Sequence, residues 1–149
     1  MTTTTSAAQV YDLRTPYLTQ GRTTGLRSRT ELMTIIVKVY AEGGENGMHR
    51  HPYEDHTFIV IEGQATFRID TDDNVKVVNR YEGVMLPKGT FYWFESTGDC
   101  NLVMIRAGAS DERPTGPTRL TPDGREIPGD SLENKRVERI EAPGPGFGA

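Results

Sequence analysis

The sequence predicts a nearly all-β domain closed as a sandwich or barrel, and three observations carry that prediction. Short runs rich in β-branched and aromatic residues recur at roughly eight-to-twelve-residue spacing, each bounded by Gly, Pro, Asn or Asp. No segment carries a convincing amphipathic helical period. At 149 residues the chain suits one domain, and its hydrophobic share of 35% implies a compact core with other segments outside it.

Residues 1–30 are polar and broken by Pro16, Gly21 and Gly25, which reads as an N-terminal arm. In "LMTIIVKVY" (32–40), Met33, Ile35, Val37 and Val39 share one side at period two, while Ile36 and Tyr40 keep the other side partly apolar. That is a strand. The loop "AEGGENG" follows, and "HTFIVIEG" (56–63) reads as the next strand. The rhythm continues through "QATFRID", the turn "TDDN", "VKVVN", the corner "YEG", "VMLPKGT", "FYWFES", "TGD" and "CNLVMIRAG". The barrel is placed at residues 31–107. Beyond it, residues 108–149 hold six of the nine prolines and read as an extended tail, solvated or docked on a neighbouring subunit and disordered at its end, "PGPGFGA". Within the tail, "SLENKRVERIEA" has a weakly helical composition.

The formal charge of -4 comes from mixed residues without a basic stripe, which argues against a nucleic-acid partner. No apolar window is long enough to cross a bilayer, and the N-terminus lacks the pattern of an export signal, so no membrane partner and a cytoplasmic location are expected. The single cysteine, Cys100, permits no intramolecular disulfide and reads as a small buried hydrophobe.

All three histidines, His49, His51 and His56, fall within "HRHPYEDH". Alternation along a strand puts His49 and His51 on one face. His56 follows a turn led by Pro52 and opens the next strand in phase with Phe58, so a closed barrel would turn it toward the first pair. Three neutral imidazoles suit iron, zinc, copper, nickel or manganese, with open positions left for water or substrate. Glu54 and Asp55, in the turn, either join the coordination or serve as solvated or imidazole-orienting acids.

"HRHPYEDHTFIVIEG" resembles the first motif of the cupin superfamily: His-x-His, three or four residues, Glu, six residues, Gly. Counting back from Gly63 places His56 at the family's glutamate position. "PKGTFYWFES" is similar to the second motif: Pro87 and Gly89 match, Tyr92 stands at the histidine position and Ser96 at the asparagine position. The resemblance implies a cupin-type jelly-roll barrel with a metal inside, and it makes His49 and His51 ligands at matching positions. With His56 it implies a three-histidine site contributed by one hairpin, with Tyr92 beside it. The superfamily spans dioxygenases, isomerases, epimerases, decarboxylases, cyclases, lyases and non-catalytic binding modules.

A neutral ligand set would leave the metal's charge uncompensated and favour an anionic substrate or an enolate-like ligand. Tyr92, a phenol in such a pocket, is the candidate catalytic acid or hydrogen-bond donor. Phe58 and Phe94 are expected to wall the pocket, with Met33, Met85 and Met104 as a soft apolar lining. Arg68 would bind a substrate carboxylate if turned inward, as would Arg106. The expected function is a metal-dependent enzyme acting on a small carbonyl-bearing or aromatic molecule. Iron(II) and a dioxygenase reaction lead. The alternatives are zinc, manganese or nickel in an isomerase, cyclase or lyase, and a non-catalytic binding module. Trp93, Ile36 and Tyr40 are candidate apolar contributors to a homodimer surface.

Overall fold

The computed structural model describes residues 7–129, 131 and 137–149. The described residues form ten strands and no helix: β1 (Leu18–Gln20), β2 (Arg22–Arg29), β3 (Met33–Tyr40), β4 (Asp55–Glu62), β5 (Gln64–Ile69), β6 (Val75–Asn79), β7 (Gly83–Leu86), β8 (Tyr92–Ser96), β9 (Leu102–Ala109) and β10 (Ile140–Glu141). None of them is a helix able to cross a membrane. Antiparallel pairing gives a five-stranded sheet ordered β2-β3-β9-β4-β7, a three-stranded sheet ordered β6-β5-β8, and the pair β1-β10.

The two larger sheets enclose a core that explains why these segments are strands. Inward residues alternate: Phe58 and Val60 on β4, Ala65 and Phe67 on β5, Tyr92 and Phe94 on β8, Leu102 and Met104 on β9. Phe58, Phe67 and Phe94 pack with ring centroids 4.8–5.3 Å apart. Each fully buried ring contributes about 1.5–3 kcal/mol of transfer free energy. Gly63 turns β4 into β5 at φ 82°, and a Cβ there would stand 2.6 Å from the Asn101 carbonyl oxygen. A side chain is excluded on both counts.

The outer face of the large sheet has its own cluster, in which Val37, Val39 and Val103 pack with Leu18 and, around them, Leu13, Tyr17 and Phe147. Described segments near both termini therefore fold onto the barrel. The segment expected as an arm supplies β2, an edge strand paired with β3 from Arg22↔Tyr40 to Arg29↔Thr34. Its Thr- and Arg-rich sequence lacks an apolar alternation, and pairing with β3 rather than patterning makes it a strand. The barrel thus begins before residue 31 and runs past 107.

The described residues of the tail lie against the rest of the domain. Phe147 pairs with Thr15, β10 pairs with β1, and Leu120 pairs with Arg50. Gly146 permits the first contact, since a Cβ there would collide with the Thr15 carbonyl oxygen. Of the helical reading of 131–142, residues 132–136 lie outside the described residues, and Ile140–Glu141 form the strand β10 instead. Cys100, expected in the core, is exposed. Tyr40 and Ile36 face the barrel interior rather than a dimer surface: Tyr40 is in the core, and Ile36 lines the cavity. Trp93 is outside, donating from Nε1 to Asp72 at 2.8 Å.

Candidate metal centre

His56 is turned inward by the phase of β4, which buries His56, Phe58 and Val60 and exposes Asp55 and Ile59. His49 is not in a continuous strand. A single two-residue bridge holds it to Tyr92, with His49 N donating to Tyr92 O at 3.1 Å and Tyr92 N to His49 O at 2.9 Å. That bridge puts the imidazole and phenol on one face, ring centroids 4.6 Å apart. The second-motif loop holds the first: Gly89 N donates to His51 O at 2.9 Å, and Lys88 N to Asp55 Oδ1 at 2.8 Å.

The donor atoms of His51, Glu54 and His56 lie within 4.8 Å of one another. His49 is not one of those three, but its ring stands 5.1 Å from that of His51, and the His51 and His56 rings are 4.3 Å apart. The three rings are neighbours, but Glu54, from the turn, rather than His49 completes the tight group. Asp55 turns out to solvent and caps Lys88.

Protonation and tautomer suit metal binding. Burial pushes His49 and His51 well below the ordinary imidazole pKa and lowers His56 as well. His56 in turn draws Glu54 below its usual carboxylate range. The result is neutral rings beside an ionised carboxylate, the states that ligation requires. His49 Nδ1 is 2.7 Å from Gly47 O. A carbonyl only accepts, so Nδ1 carries the proton and Nε2 keeps its lone pair. His56 Nδ1 is 3.3 Å from Tyr92 Oη. Its buried Nε2 has no hydrogen-bond partner, and Glu54 Oε1 lies 3.6 Å away. An orphaned buried nitrogen beside a carboxylate and a second imidazole is the donor set of a divalent transition metal.

A cavity of about 1070 Å³ opens beside this group and reaches it through His49, His51 and Tyr92, with Phe94 in its wall. Phe58 lies deeper, its ring 6.3 Å from His56 and 5.7 Å from Tyr92. Met104 is fully buried among the core aromatics. Three expected wall residues are elsewhere. Met33 and Met85 are exposed, because both occupy the outward phase of their strands; Leu86, the neighbour of Met85, takes the inward one. Arg68 is likewise outward, between the inward Phe67 and the Trp93 ring it covers at 4.7 Å, with Glu95 at 3.8 Å. Arg106 is the arginine that faces in, two residues beyond Met104 on β9.

Sequence reasoning missed the other cations of this cavity: Arg22, Lys38, Arg119 and Arg139. Lys38 had a signal, since it occupies the phase of Ile36 and Tyr40. Arg119 had none, because no strand pattern surrounds it and only the chain's return through Leu120 brings it to the barrel.

Residues 36–106 match the family model described as "Cupin domain". No curated protein matches the chain. Among solved structures, an RmlC-like cupin family protein with a double-stranded β-helix fold from Methanocaldococcus jannaschii is 17% identical. It aligns at a TM-score of 0.58 over 69% of this chain and 91% of that one. The Cnp3 cupin domain of Schizosaccharomyces pombe is 15% identical, with a TM-score of 0.57 over 63% and 68%. KdgF from Halomonas sp. is 12% identical, with a TM-score of 0.55 over 62% and 82%. These likenesses establish the fold. With the match of residues 36–106 to the cupin domain model, they identify that fold as a cupin-type jelly-roll barrel.

Proposed function

We propose that this protein is a metal-dependent enzyme acting on a small carbonyl-bearing or aromatic organic molecule, with iron(II) as its metal and oxygenase chemistry as its reaction class. The observation that carries the reading is the convergence of His51, Glu54 and His56 within 4.8 Å beside a large cavity. Two imidazoles and one carboxylate with an open side are the donor set of non-haem iron(II) oxygenases. Bound there, the metal would supply a Lewis acid and a site for dioxygen.

The chain's own groups do the rest. Burial raises the pKa of Tyr92, so its phenol stays protonated at neutral pH. With His56 Nδ1–H donating to Tyr92 Oη, the phenolic proton is free to point at a bound substrate oxygen. Phe94 and Ile36 exclude water from the substrate's body, and His49 holds the Tyr92 backbone in place. That retained proton favours a second reading, in which zinc or manganese takes the site and Tyr92 moves a proton in an isomerase, cyclase or lyase reaction.

Elemental analysis of purified protein separates these readings, followed by oxygen consumption with diketones and phenols. Stoichiometric iron and substrate-dependent oxygen uptake are expected. Zinc or manganese without oxygen uptake would select the second reading. Absence of any stoichiometric metal, with His51→Ala folding like the parent, would reject both.

A further inference from the structure

The cavity beside the metal group is positively charged in a protein that is net negative. Arg22, Lys38, Arg106, Arg119 and Arg139 line it, against Glu138 as its acidic member. Among the described residues, Arg22, Lys38, Arg106 and Arg119 form no ion pair with a carboxylate. Lys38 and Arg119 are themselves buried. Uncompensated buried charge is costly and needs an explanation.

Asn46 supplies one. It is buried, and its amide oxygen, in the orientation that satisfies its neighbours, accepts from Arg22 Nη1 at 3.2 Å and from Arg119 Nη2 at 3.0 Å. Neutral carbonyls hold the outer edges: Arg22 Nη2 donates to Gly129 O at 3.0 Å and Arg119 Nη1 to Ile127 O at 3.2 Å. Two guanidinium groups are thus fixed side by side by acceptors that orient them without neutralising them. Such a pair is preorganised for an anion, and a low-dielectric cavity of one sign focuses its field on an incoming one.

We propose that the cavity is a receptor for an organic oxyanion, its anionic group held by Arg22 and Arg119 and its body directed past Phe94 toward His51 and Tyr92. The direction of the body rests on the metal-dependent reading above; the anion cradle does not. Carboxylate and phosphate share the required chemistry, and Ile36, Phe94 and Val137 in the lining fit an organic body rather than a bare ion. Lys38 agrees with this. Burial, with Arg106, Arg22 and Arg119 nearby, drives its pKa well below that of an ordinary amine, a condition that a bound anion would relieve.

The test is calorimetric titration of the full-length, metal-free protein at low ionic strength with benzoate, 2-hydroxybenzoate, phenyl phosphate and the neutral 2-hydroxybenzamide. At least one anion is expected to bind at least tenfold more tightly than the amide, and the ratio between 2-hydroxybenzoate and phenyl phosphate assigns the headgroup. Asn46→Asp, which sets a tethered carboxylate between the two guanidiniums, should weaken anion binding at least tenfold. Arg119→Gln should do the same, and serves if the aspartate variant fails to fold. Failure of all three anions to bind, or equal binding in the parent and Arg119→Gln, overturns the proposal. Metal content is measured separately on the protein as purified, before the metal is removed for titration. Anion binding without stoichiometric metal would sink the metalloenzyme reading alone, and metal without anion binding would sink the cradle alone.

Discussion

Gly108→Ala is the most searching perturbation of the metal group, because it replaces neither a ligand nor an apolar side chain of the core. Gly108 is on β9 directly opposite His56 on β4. A Cβ built there would stand 3.1 Å from Glu54 Oε2, 3.2 Å from a ring carbon of His56 and 3.2 Å from Thr34 Oγ1. Ordinary contacts of this kind lie near 3.5–4.0 Å, so the neighbours must retreat by roughly 0.3–0.5 Å. His56 is held on its far side by Tyr92, leaving the partly exposed Glu54 carboxylate as the group that gives way.

Metal–ligand distances tolerate about 0.2 Å, and displacing the groups that position ligands typically costs 10- to 100-fold in metal affinity. The expected loss is therefore about 1.4–2.8 kcal/mol of binding free energy. The fold should not suffer, since alanine gains about 0.5–1 kcal/mol over glycine within a strand. Competition with a chelator measures the affinity, and thermal unfolding of the metal-free variant checks the fold. Affinity within twofold of the parent, with the variant fully folded, would refute the assignment of Glu54 and His56 to one metal.

Other variants probe the remaining assignments. Tyr92→Phe should keep its metal while turnover falls by about 10²–10⁴-fold, the usual worth of a positioned acid or base, as read by steady-state kinetics on whichever substrate the oxygen-uptake screen identifies. Met104→Ala should cost about 2–5 kcal/mol in denaturant unfolding, whereas Met33→Ala and Met85→Ala should stay within about 0.5 kcal/mol of the parent. Acid should destabilise the metal-free protein. Burial lowers the pKa of His49, His51 and His56 in the folded state, so below the ordinary value of 6.5 the unfolded chain binds more protons. Stability is then complete above about pH 6.5 and falls as pH drops, by up to about 1.4 kcal/mol per pH unit for each imidazole until its folded-state pKa is reached. Urea midpoints measured between pH 7.5 and 5 read this directly, and a flat profile would contradict neutral buried rings.

Much of this protein was legible as a string of letters. Strands need only an alternating pattern and turn residues at their ends, so β3 to β9 appear in sequence with their punctuation: "TDDN" before β6, Gly63 between β4 and β5. The histidine cluster was legible because its members are close in sequence and the phase of one strand turns His56 inward. The same reasoning failed where it needed to know which side of a strand is inside. Period two sorts residues into two faces without labelling them, so Met33 was grouped correctly with Val37 and Val39 and assigned to the wrong side. Arg68 and Met85 failed for the same reason.

Tertiary structure decided what no local pattern encodes. β2 is a strand because β3 pairs with it, and the described segment near the C-terminus folds onto the barrel because Phe147 finds an apolar patch and Thr15 an open backbone. The cationic cavity is assembled from β2, β3, β9, the loop carrying Asn46 and the returning segment carrying Arg119, positions far apart in the chain. Sequence alone determined the alternation of faces and the clustering of imidazoles, because both are properties of neighbouring residues. Which face became the interior, and which distant charges met there, depended on long-range pairing and burial, because only the closed sheets bring those groups into one low-dielectric space.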